Sequence, residues 1–278
     1  MQLRTLPGNN YEELLNAFNL AFSDYFIPVS VGIEQFTTKL ESHNIDLSLS
    51  VGAYEDNKLV GFILHGVTPY INNRIIYNLG TGVIPSARGE KLTSKMYEHI
   101  LPDLIESGCE QVQLEVVTKN AAAIKSYLNS GFSISRELSC YKGIITKGSV
   151  NQEYIYKNIE KIHWDKLMSF WDTNPTIQNS PELVKNRFNE LTIIGAYSNR
   201  ELIGYVIYNP KEKSVMQLAV DAKYRNRGVA TSLLRNLNEA NSITILNIDK
   251  QQEAINQFIK RIGMAVFIEQ YELTLPLN

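Results

Sequence analysis

One stretch near the end of the sequence, residues 216–234, places a basic turn between a strand pattern and a helix pattern. Before the turn, Leu218 and Val220 alternate with period two, as in a β-strand. After it, Val229 and Leu233 begin an apolar stripe with a spacing of four residues, as in an amphipathic helix. The start of a helix leaves several backbone N–H groups without partners inside the helix. Together with the helix dipole, such groups bind anions, most naturally a phosphate.

The residues of this turn suit a ligand with two phosphates. Gly228 removes the side chain where a diphosphate would touch the backbone, and Ala230 keeps the first helical turn slim. Arg225 and Arg227 add positive charge. The spacing Arg225-x-x-Gly228-x-Ala230 therefore predicts a diphosphate-binding turn, with an ordinary strand–helix connection as the alternative.

The same pattern occurs earlier in the chain, because residues 83–93 align with residues 220–230 without a gap. Arg88 matches, but Lys91 and Thr93 stand where the later copy has glycine and alanine. Lys91 either crowds a diphosphate or turns outward and attracts it. The repeat takes about half of the chain each time, which predicts tandem domains rather than a solenoid.

Around each turn the hydrophobic periodicity predicts the same order of elements: β, α, α, β, β, β, α, β, α, β. A polar stretch with glycines at residues 143–152 separates the halves, which predicts domains at 1–147 and 152–278. Gly80 and Gly82 lie in the strand before the first turn and predict a β-bulge or a close backbone approach.

Composition narrows the class of protein. The 278 residues, of which 44% are hydrophobic, suffice for two domains with cores of their own. A net charge of -2 argues against a binder of nucleic acids or membrane surfaces. Cys109, Cys140 and the four histidines follow no metal-ligand spacing, so we expect no metal. No run approaches the roughly 18 apolar residues of a membrane span and no apolar signal segment follows Met1, so we expect a cytoplasmic protein.

This combination of motifs resembles the GCN5-related N-acetyltransferases, whose signature is Gln/Arg-x-x-Gly-x-Gly/Ala between a strand and a helix. The resemblance extends over nearly the whole chain. It implies an α/β fold of two tandem acetyltransferase-fold domains, each with a central, mostly antiparallel mixed sheet that is flanked by helices. In the family, strands four and five splay apart, the pantetheine arm of acetyl-CoA enters the gap as cosubstrate, and its pyrophosphate lies on the turn.

The resemblance also assigns residues to the coenzyme. Because Lys91 replaces a glycine, we expect the first half to bind it more weakly than the second, or not at all. The coenzyme-binding residues that the resemblance implies are Leu218, Val220, Arg225, Arg227, Gly228, Val229, Ala230 and Thr231 in the second half and Val83, Arg88, Gly89 and Thr93 in the first.

The catalytic residues that the resemblance implies lie in the first half. Tyr127 stands four residues before a Gly-Phe pair, where family members carry the tyrosine that protonates the leaving thiolate. Asn120 stands on the connection from the fifth strand to the following helix. A core aromatic is the alternative for Tyr127, and a helix N-cap is the alternative for Asn120. In the second half the tyrosine position is Ile259, which cannot donate a proton.

The resemblance implies transfer of an acetyl group from acetyl-CoA to an amine of a small molecule or a peptide. Asp24 and Tyr25 lie where the family builds its acceptor pocket, with a loop turn and an anchoring aromatic as the alternative. Glu115 is either a base or a solvated charge. One rival function is a non-catalytic acyl-CoA-binding protein with a regulatory or structural role. Another is a divided enzyme, in which one domain reacts and the other shapes the acceptor site.

Overall fold

The computed structural model describes residues 1–8, 11–25, 29–70, 73–237 and 241–277. Contacts divide the chain into two compact units. Unit 1 comprises Met1–Ser135 and Tyr271–Asn278, and unit 2 comprises Arg136–Gln270.

The helices and strands follow the predicted order in both halves of the chain. The first half contains β1 (Gln2–Thr5), α1 (Tyr11–Ala21), α2 (Ile33–Ser42), β2 (Val51–Glu55), β3 (Lys58–Tyr70), β4 (Asn73–Val83), α3 (Leu92–Glu106), β5 (Gln111–Val117), α4 (Ala121–Asn129) and β6 (Ser133–Gly143). The second half contains β7 (Ile155–Asn158), α5 (Trp164–Met168), α6 (Pro181–Asn186), β8 (Thr192–Ser198), β9 (Glu201–Asn209), β10 (Ser214–Val220), α7 (Val229–Arg235), β11 (Ile243–Asp249), α8 (Glu253–Arg261) and β12 (Ala265–Pro276).

Unit 1 is built on strands in the order β1-β2-β3-β4-β5-β12, where β12 contributes its residues from Tyr271 onward. β1 to β4 pair antiparallel with their neighbours, and β4 pairs parallel with β5. Helices α3 and α4 cover one face through a core that includes Met96 and Ile100. Helices α1 and α2 cover the other face through Phe18 and Phe36. The unit therefore has three layers, with helices on both sides of the sheet.

Unit 2 repeats this plan with the order β6-β11-β10-β9-β8-β7. Its pairs are antiparallel except for β10 with β11. Helices α7 and α8 bury Val229, Leu233 and Ile259 on one face, while α5 and α6 bury Leu167 and Val184 on the other. A mixed α/β fold with a mostly antiparallel sheet and flanking helices, as predicted, is thus confirmed for each unit.

The units differ from the predicted domains, 1–147 and 152–278, in where β6 belongs. From Arg136 onward the residues of β6 are part of unit 2, because they pair with β11, for example Tyr141 with Ile245. The sequence suggested instead that β6 closes the first domain, since it follows directly after α4. Sequence order alone does not reveal which neighbour a strand pairs with.

The last residues of the chain belong to unit 1, although the sequence predicts them in the second domain. Leu273, Leu275 and Leu277 are buried in the core of unit 1, and the N–H of Leu277 donates to the carbonyl of Glu110 at 2.9 Å. Residues 143–152, predicted as a boundary, lie in unit 2. The boundaries of the two sequence repeats stay a prediction.

The parallel pair of each unit separates partway along its length. The register of β4 with β5 ends at Tyr77 and Gln113, although both strands continue. The register of β10 with β11 ends at Val215 and Ile245, and again both strands continue. The predicted splay between the fourth and fifth strands is therefore confirmed in both units.

A β-bulge lies close to each point of separation. The register of β4 with β3 skips Leu79, and the register of β10 with β9 skips Met216. These residues are equivalent when the two turns are aligned. The bulge predicted around Gly80 and Gly82 is thus confirmed, and at Gly82 the ring of Phe62 fills the space that a side chain would need.

Candidate functional site

The separation of β10 from β11 opens a cavity in unit 2 with a volume of about 470 Å³. Residues 216–220 of β10 and 246–249 of β11 line it where the two strands diverge. The turn before α7, one face of α8 and residues 170–176 complete its walls. The cavity therefore joins the region of the predicted diphosphate turn to the opposite, α5 side of the sheet.

The turn before α7 has the backbone form that the sequence predicts. Asn226 and Gly228 have positive φ angles of 60° and 78°. The first hydrogen bond of the helix joins the N–H of Ser232 to the carbonyl of Gly228 at 3.0 Å. The N–H groups of residues 229–231 consequently have no partner inside the helix. Because these residues also line the cavity, this wall has the character of an anion-binding surface.

The turn of unit 1 follows the same path with a different residue at the helix start. Gly89 and Lys91 have φ angles of 89° and 55°, at the positions aligned with Asn226 and Gly228. The first hydrogen bond of α3 joins the N–H of Lys95 to the carbonyl of Lys91 at 3.1 Å. The side chain of Lys91 is exposed, so the turn keeps its shape at the cost of a left-handed lysine.

The cavity brings together most of the predicted coenzyme residues of the second half. The side chain of Arg227 is exposed and its guanidinium lies 5.6 Å from the centre of the Tyr224 ring. In unit 1, Val83 and Thr93 are partly buried, whereas Arg88 and Gly89 are exposed. Contact of any of these residues with a coenzyme stays a prediction. The predicted residues that line the cavity are Leu218, Val220, Arg225, Gly228, Val229, Ala230 and Thr231.

Residues 148–151, named here the strap, pass over the turn of unit 2. The N–H of Asn151 donates to Ser232 Oγ at 2.8 Å, and this hydroxyl donates back to the carbonyl of Asn151 at 3.3 Å. A Cβ atom at Gly228 would lie 2.8 Å from the carbonyl oxygen of Ser149. Gly228 is therefore required by the strap as well as by its positive φ. Because Ser149 lines the cavity, the strap is part of the wall.

The first arginine of the turn in unit 2 is held by an aspartate and two main-chain carbonyls. Nη1 of Arg225 donates to both carboxylate oxygens of Asp172, at 3.0 and 2.8 Å. Its Nε donates to the carbonyl of Val220 at 2.9 Å, and its Nη2 donates to that of Phe170 at 3.1 Å. The charge of Arg225 is therefore matched inside the protein.

The arginine of unit 1 has the same set of contacts. Nη1 and Nη2 of Arg88 donate to the carboxylate of Asp24 at 2.6 and 2.8 Å. Its Nε donates to the carbonyl of Val83 at 3.1 Å and its Nη2 to that of Ala21 at 3.0 Å. The hydrogen bond from Arg88 lowers the pKa of Asp24, and the same bond raises the pKa of Arg88. In the described part of unit 2, Arg227 has no such acidic partner.

A hydrogen-bonded network forms the α5 side of the cavity. The hydroxyl of Tyr205 donates to Gln217 Oε1 at 2.7 Å and accepts from Trp171 Nε1. Nε2 of Gln217 donates to the carbonyl of Asn179. Burial raises the pKa of Tyr205, so its hydroxyl keeps the proton at neutral pH. These four residues all line the cavity and give it a rigid polar wall.

Tyr127 lies on α4 of unit 1 and is 7% exposed. Its ring packs against Tyr97 and Phe132 with centroid distances of 6.3 and 5.5 Å. Burial raises the pKa of Tyr127 to about 12, and a hydrogen bond with Thr81 opposes this rise. Thr81 stands on β4 beyond the point where β4 leaves β5. The hydroxyl thus remains protonated at the separation of the strands, and the tyrosine is also a core aromatic.

Asn120 caps α4, since its Oδ1 accepts the N–H of Ala123 at 3.1 Å. The alternative of a helix N-cap is therefore confirmed, and a contact with a ligand stays a prediction. Gln252 stands at the start of α8 without a capping side-chain bond, and Ile259 is fully buried. Glu115 accepts a hydrogen bond from the hydroxyl of Tyr77 at 2.7 Å.

His65 is a further titratable group in unit 1, on β3. It is fully buried, and Nδ1 donates to the carbonyl of Leu49 at 2.8 Å. Within the described residues Nε2 has no hydrogen-bond partner. Burial lowers the pKa of His65 to about 4. The imidazole is therefore neutral at physiological pH, with its proton on Nδ1.

Sequence reasoning missed the strap, the inner face of α8 and residues 170–176 as parts of this site. For residues 170–176 a signal was present, because Phe22-x-Asp24 and Phe170-x-Asp172 repeat one spacing ahead of the two turns. Its meaning depends on the contact of each aspartate with an arginine distant in sequence. The strap carried no comparable signal.

Two family models match the chain in tandem. The model for the acetyltransferase (GNAT) family matches residues 11–132, and the model for an acetyltransferase (GNAT) domain matches residues 189–263. Fold and site together define a class of proteins with tandem acyltransferase domains. The chain belongs to the GCN5-related N-acetyltransferase family. No curated protein matches the sequence significantly.

Solved structures with the same fold cover the whole chain at low sequence identity. A GCN5-related N-acetyltransferase from Sphaerobacter thermophilus is 12% identical, with 100% of this chain and 96% of that one covered and a TM-score of 0.72. A tandem GNAT protein from the clavulanic acid biosynthesis pathway is 11% identical, with 100% and 99% covered and a TM-score of 0.73. A GCN5-related N-acetyltransferase from Anabaena variabilis is 10% identical, with 100% and 73% covered and a TM-score of 0.66. At these identities the likeness concerns the fold.

The described residues contain neither a membrane-spanning helix nor a metal-binding cluster. Among those residues, no helix has the length and apolar character needed to cross a membrane. Within the same residues, no group of three or more histidine, cysteine or acidic side chains could hold a metal ion. Cys109 and Cys140 are buried free thiols.

Proposed function

We propose that the protein is an N-acetyltransferase that moves an acetyl group from acetyl-CoA to an amine, and that unit 2 binds the coenzyme. The observation that carries this proposal is that the complete Arg225-x-x-Gly228-x-Ala230 turn forms a wall of a cavity between separated strands. The family supports acyl transfer in general. The net charge of -2 supports a small-molecule or peptide acceptor rather than nucleic acid or a membrane surface, and we expect a cytoplasmic location.

The residues present suit acyl-CoA. The N–H groups of residues 229–231 suit the diphosphate, and Arg227 supplies a positive charge that no acid matches in the described part of the unit. Beyond Val215, β10 has left its parallel neighbour, so its edge at Leu218 and Val220 can pair with an extended pantetheine arm as with an added strand. Thr231 and the strap close the cavity beside the turn.

The bound coenzyme supplies a thioester, which a neutral amine attacks. The protein then has to stabilise the carbonyl oxygen as it gains charge and to deliver a proton to the leaving sulfur. Backbone N–H groups of the separated β10 are suited to the first task, as are those of β4 in unit 1. For a coenzyme bound in unit 1, we propose Tyr127 for the second task, because its hydroxyl stays protonated with a pKa of about 12. Asn120 fixes the start of the helix that carries it.

A second candidate function is non-catalytic binding of acyl-CoA by unit 2, with a regulatory or structural role. The observation that favours it is the fully buried Ile259 at the tyrosine position of the unit that holds the cavity. Turnover separates the two functions. Incubation of the full chain with acetyl-CoA and a panel of amines, followed by detection of free thiol, gives product if the protein is an enzyme. Binding of acetyl-CoA without thiol release would instead support the second function.

The coenzyme site is tested by a charge placed on its wall. Ala230→Glu sets a carboxylate in the first turn of α7, and Ala230→Gln has nearly the same size without the charge. We expect the glutamate variant to bind acetyl-CoA about 100-fold more weakly than the glutamine variant, because like charges repel across a dry contact. Thr93→Glu makes the same change at the aligned position of unit 1 and is expected to alter the affinity little. Isothermal calorimetry on the full chain measures all three, and equal affinities for the Ala230 pair would contradict the site.

The role of Tyr127 is tested by Tyr127→Phe, which keeps the ring and removes the hydroxyl. If unit 1 reacts, turnover falls by about 100-fold with little change in acetyl-CoA affinity, as expected for a lost general acid. A fall in thermal stability without a change in rate would assign the hydroxyl to packing alone. Ile259→Tyr, which places a tyrosine at the equivalent position of unit 2, is the control. If unit 1 is the reacting unit, adding this change to Tyr127→Phe is expected not to restore turnover. A wild-type rate in Tyr127→Phe would move the chemistry to unit 2.

A further inference from the structure

The contacts of the two turn arginines are closely similar. Each arginine donates from Nε to the carbonyl five residues before it and to both oxygens of an aspartate. Its Nη2 also donates to a main-chain carbonyl at or just after the end of the first helix of its unit, Ala21 in unit 1 and Phe170 in unit 2. The aspartates, Asp24 and Asp172, follow a phenylalanine at the same spacing. We refer to the arginine and its aspartate as the clamp.

In unit 2 the clamp joins two walls of one cavity. Arg225 belongs to the turn that we propose for the diphosphate, whereas Phe170 and Asp172 belong to the α5 side of the sheet. Residues 170–176 line the cavity beside Gln217 on that side. The clamp is therefore a direct link between the coenzyme turn and the part of the cavity left for the acceptor.

Unit 1 shows that the clamp does not depend on a turn suited to a diphosphate. Arg88 and Asp24 retain it, although Lys91 and Thr93 replace the small residues of the motif. A guanidinium that already holds a carboxylate and two carbonyls has few donors left for a phosphate. The arginine of the motif is thus engaged within the protein in both units.

We infer that Asp172 and Arg225 are positioning residues that couple the coenzyme turn to residues 170–176, so that filling the turn orders the acceptor wall. This inference rests on the proposed binding of the coenzyme in unit 2. The side chains of Arg225 and Asp172 are 35% and 57% exposed, and pairs so exposed add little to stability. The three nitrogens of the planar Arg225 guanidinium nonetheless donate to Asp172, Val220 and Phe170, and these directional contacts fix the relative position of the segments that they join.

The test uses the nucleotide half of the coenzyme, 3′-phospho-ADP, which carries the diphosphate but lacks the pantetheine arm. We expect it to fill the turn, while the gap between β10 and β11 that is proposed for the pantetheine arm stays empty. Amide hydrogen exchange of the full chain, read by mass spectrometry, then reports on peptides that cover 224–231 and 170–176 separately. In the wild-type protein we expect saturating 3′-phospho-ADP to slow exchange in both segments.

Asp172→Asn removes the charge and one acceptor while keeping the shape of the side chain. We expect 3′-phospho-ADP to slow exchange at residues 224–231 of this variant as it does in the wild type. At residues 170–176 we expect the slowing to be smaller than in the wild type by at least about fivefold, the lower range of couplings between sites. Arg225→Lys keeps the positive charge but loses the planar guanidinium with its several donors, and it is expected to lose protection at residues 170–176 in the same way as Asp172→Asn. It serves as the second variant should Asp172→Asn not fold. Asp24→Asn makes the matched change in unit 1 and is expected to leave both segments as in the wild type.

Two results would overturn the inference and leave the coenzyme site intact. One is equal protection of residues 170–176 in the wild type, Asp172→Asn and Arg225→Lys. The other is protection of residues 224–231 alone in the wild type. If neither 3′-phospho-ADP nor intact acetyl-CoA slows exchange at residues 224–231, the proposed coenzyme site itself fails, and the inference fails with it.

Discussion

Lys91 and Gly228 occupy the same point of two equivalent turns, and both have a left-handed backbone, with φ angles of 55° and 78°. For an L-residue with a side chain this conformation costs roughly 1–2 kcal/mol, whereas glycine adopts it freely. Unit 1 therefore retains a turn whose backbone suits glycine, although a lysine occupies that position. At Gly228 the carbonyl of Ser149 adds a second reason, because it occupies the space of a Cβ atom.

We expect Lys91→Gly to stabilise the protein by about 0.5–1 kcal/mol, since the relief of strain exceeds the added entropy of the unfolded chain. Gly228→Ala is the opposite change and is expected to cost more than about 1 kcal/mol, because strain and the contact with Ser149 add together. The midpoint and slope of urea unfolding measure both. A loss of stability in Lys91→Gly would show that the lysine side chain contributes more than its backbone strain costs.

His65 makes stability depend on pH. Its pKa is lowered from 6.5 to about 4 by burial, so between these values the unfolded chain binds a proton that the folded chain does not. The contribution of neutral His65 is therefore fully present above pH 6.5 and is lost as the pH falls toward 4, by about 3 kcal/mol in total. Urea unfolding at a series of pH values measures the effect. His65→Asn keeps a donor for Leu49 and is expected to flatten the curve in this range.

The exposed His99 provides the control. His99→Asn makes the same substitution at the surface and leaves His65 in place, so the pH dependence that His65 contributes is expected to remain. If His65→Asn loses stability between pH 6.5 and 4 as steeply as the wild type, the pH dependence originates in other groups.

At the scale of elements, the strap shows that a connecting segment builds part of the site. Residues 148–151 read as a polar boundary in the sequence, yet Asn151 bonds to the hydroxyl of Ser232 and to the carbonyl of Arg227, at 2.8 and 2.9 Å. The hydroxyl lies one helical turn after Gly228, at the first hydrogen bond of α7. The strap thus holds the turn at Arg227 and Ser232, whereas the clamp holds it at Arg225.

We expect Ser232→Ala to weaken acetyl-CoA binding by about fivefold, on the scale of one hydrogen bond, because the strap loses its anchor at the turn. Asn151→Ala removes the bond to Arg227 and is expected to have a similar effect. Calorimetry on the full chain measures both variants and the double variant. Because the two changes release the same segment, the loss of binding free energy in the double variant is expected to be smaller than the sum of the losses in the two single variants. An unchanged affinity in the double variant would remove the strap from the site.

At the scale of the molecule, unit 1 includes residues from a distant part of the chain, and unit 2 begins before the polar boundary of the sequence. Unit 2 includes residues 136–147, where Tyr141 is 1% exposed and its hydroxyl donates to Asn256 Oδ1 at 2.6 Å. Unit 1 includes residues 271–277, with Leu273 fully buried. A cut at the polar boundary of the sequence therefore removes from unit 2 the strand that pairs with β11.

We expect fragment 136–270 to unfold cooperatively in urea and fragment 152–278 not to do so, because the latter lacks the strand that pairs with β11 and the core residue Tyr141. Circular dichroism during the titration measures both. Cooperative unfolding of 152–278 with a midpoint as high as that of 136–270 would contradict this expectation. In the full chain, Leu273→Ala is expected to cost about 2–5 kcal/mol, as for a buried leucine, and to affect unit 1.

Much of the fold was predictable because its signals are local. Period-two and period-four patterns indicated every helix and strand in the right order, and the resemblance to the family implied that the fourth and fifth strands would separate. Leu218, Gly228 and Ala230, which the resemblance implies as coenzyme-binding residues, line the cavity, and their contact with a coenzyme stays a prediction. The involvement of Asp172 was not predictable in this way. Its partner Arg225 lies far along the chain, and nothing in the sequence selects that pair among the other charges.

By itself the sequence determined the elements, their repetition, the backbone of the two turns and the family, because each depends on residues close together in the chain. Only the tertiary structure decided that the strap closes the turn, that the motif arginines hold aspartates, and that the last strand of each half lies partly in the other unit. Each of these is a choice between neighbours in space. Strand pairing and side-chain contacts depend on which surfaces are buried together. The hydrophobic effect depends on the apolar area that is buried and not on the identity or sequence distance of the partner. Local patterns consequently specify which residues are buried but leave open which partners bury them.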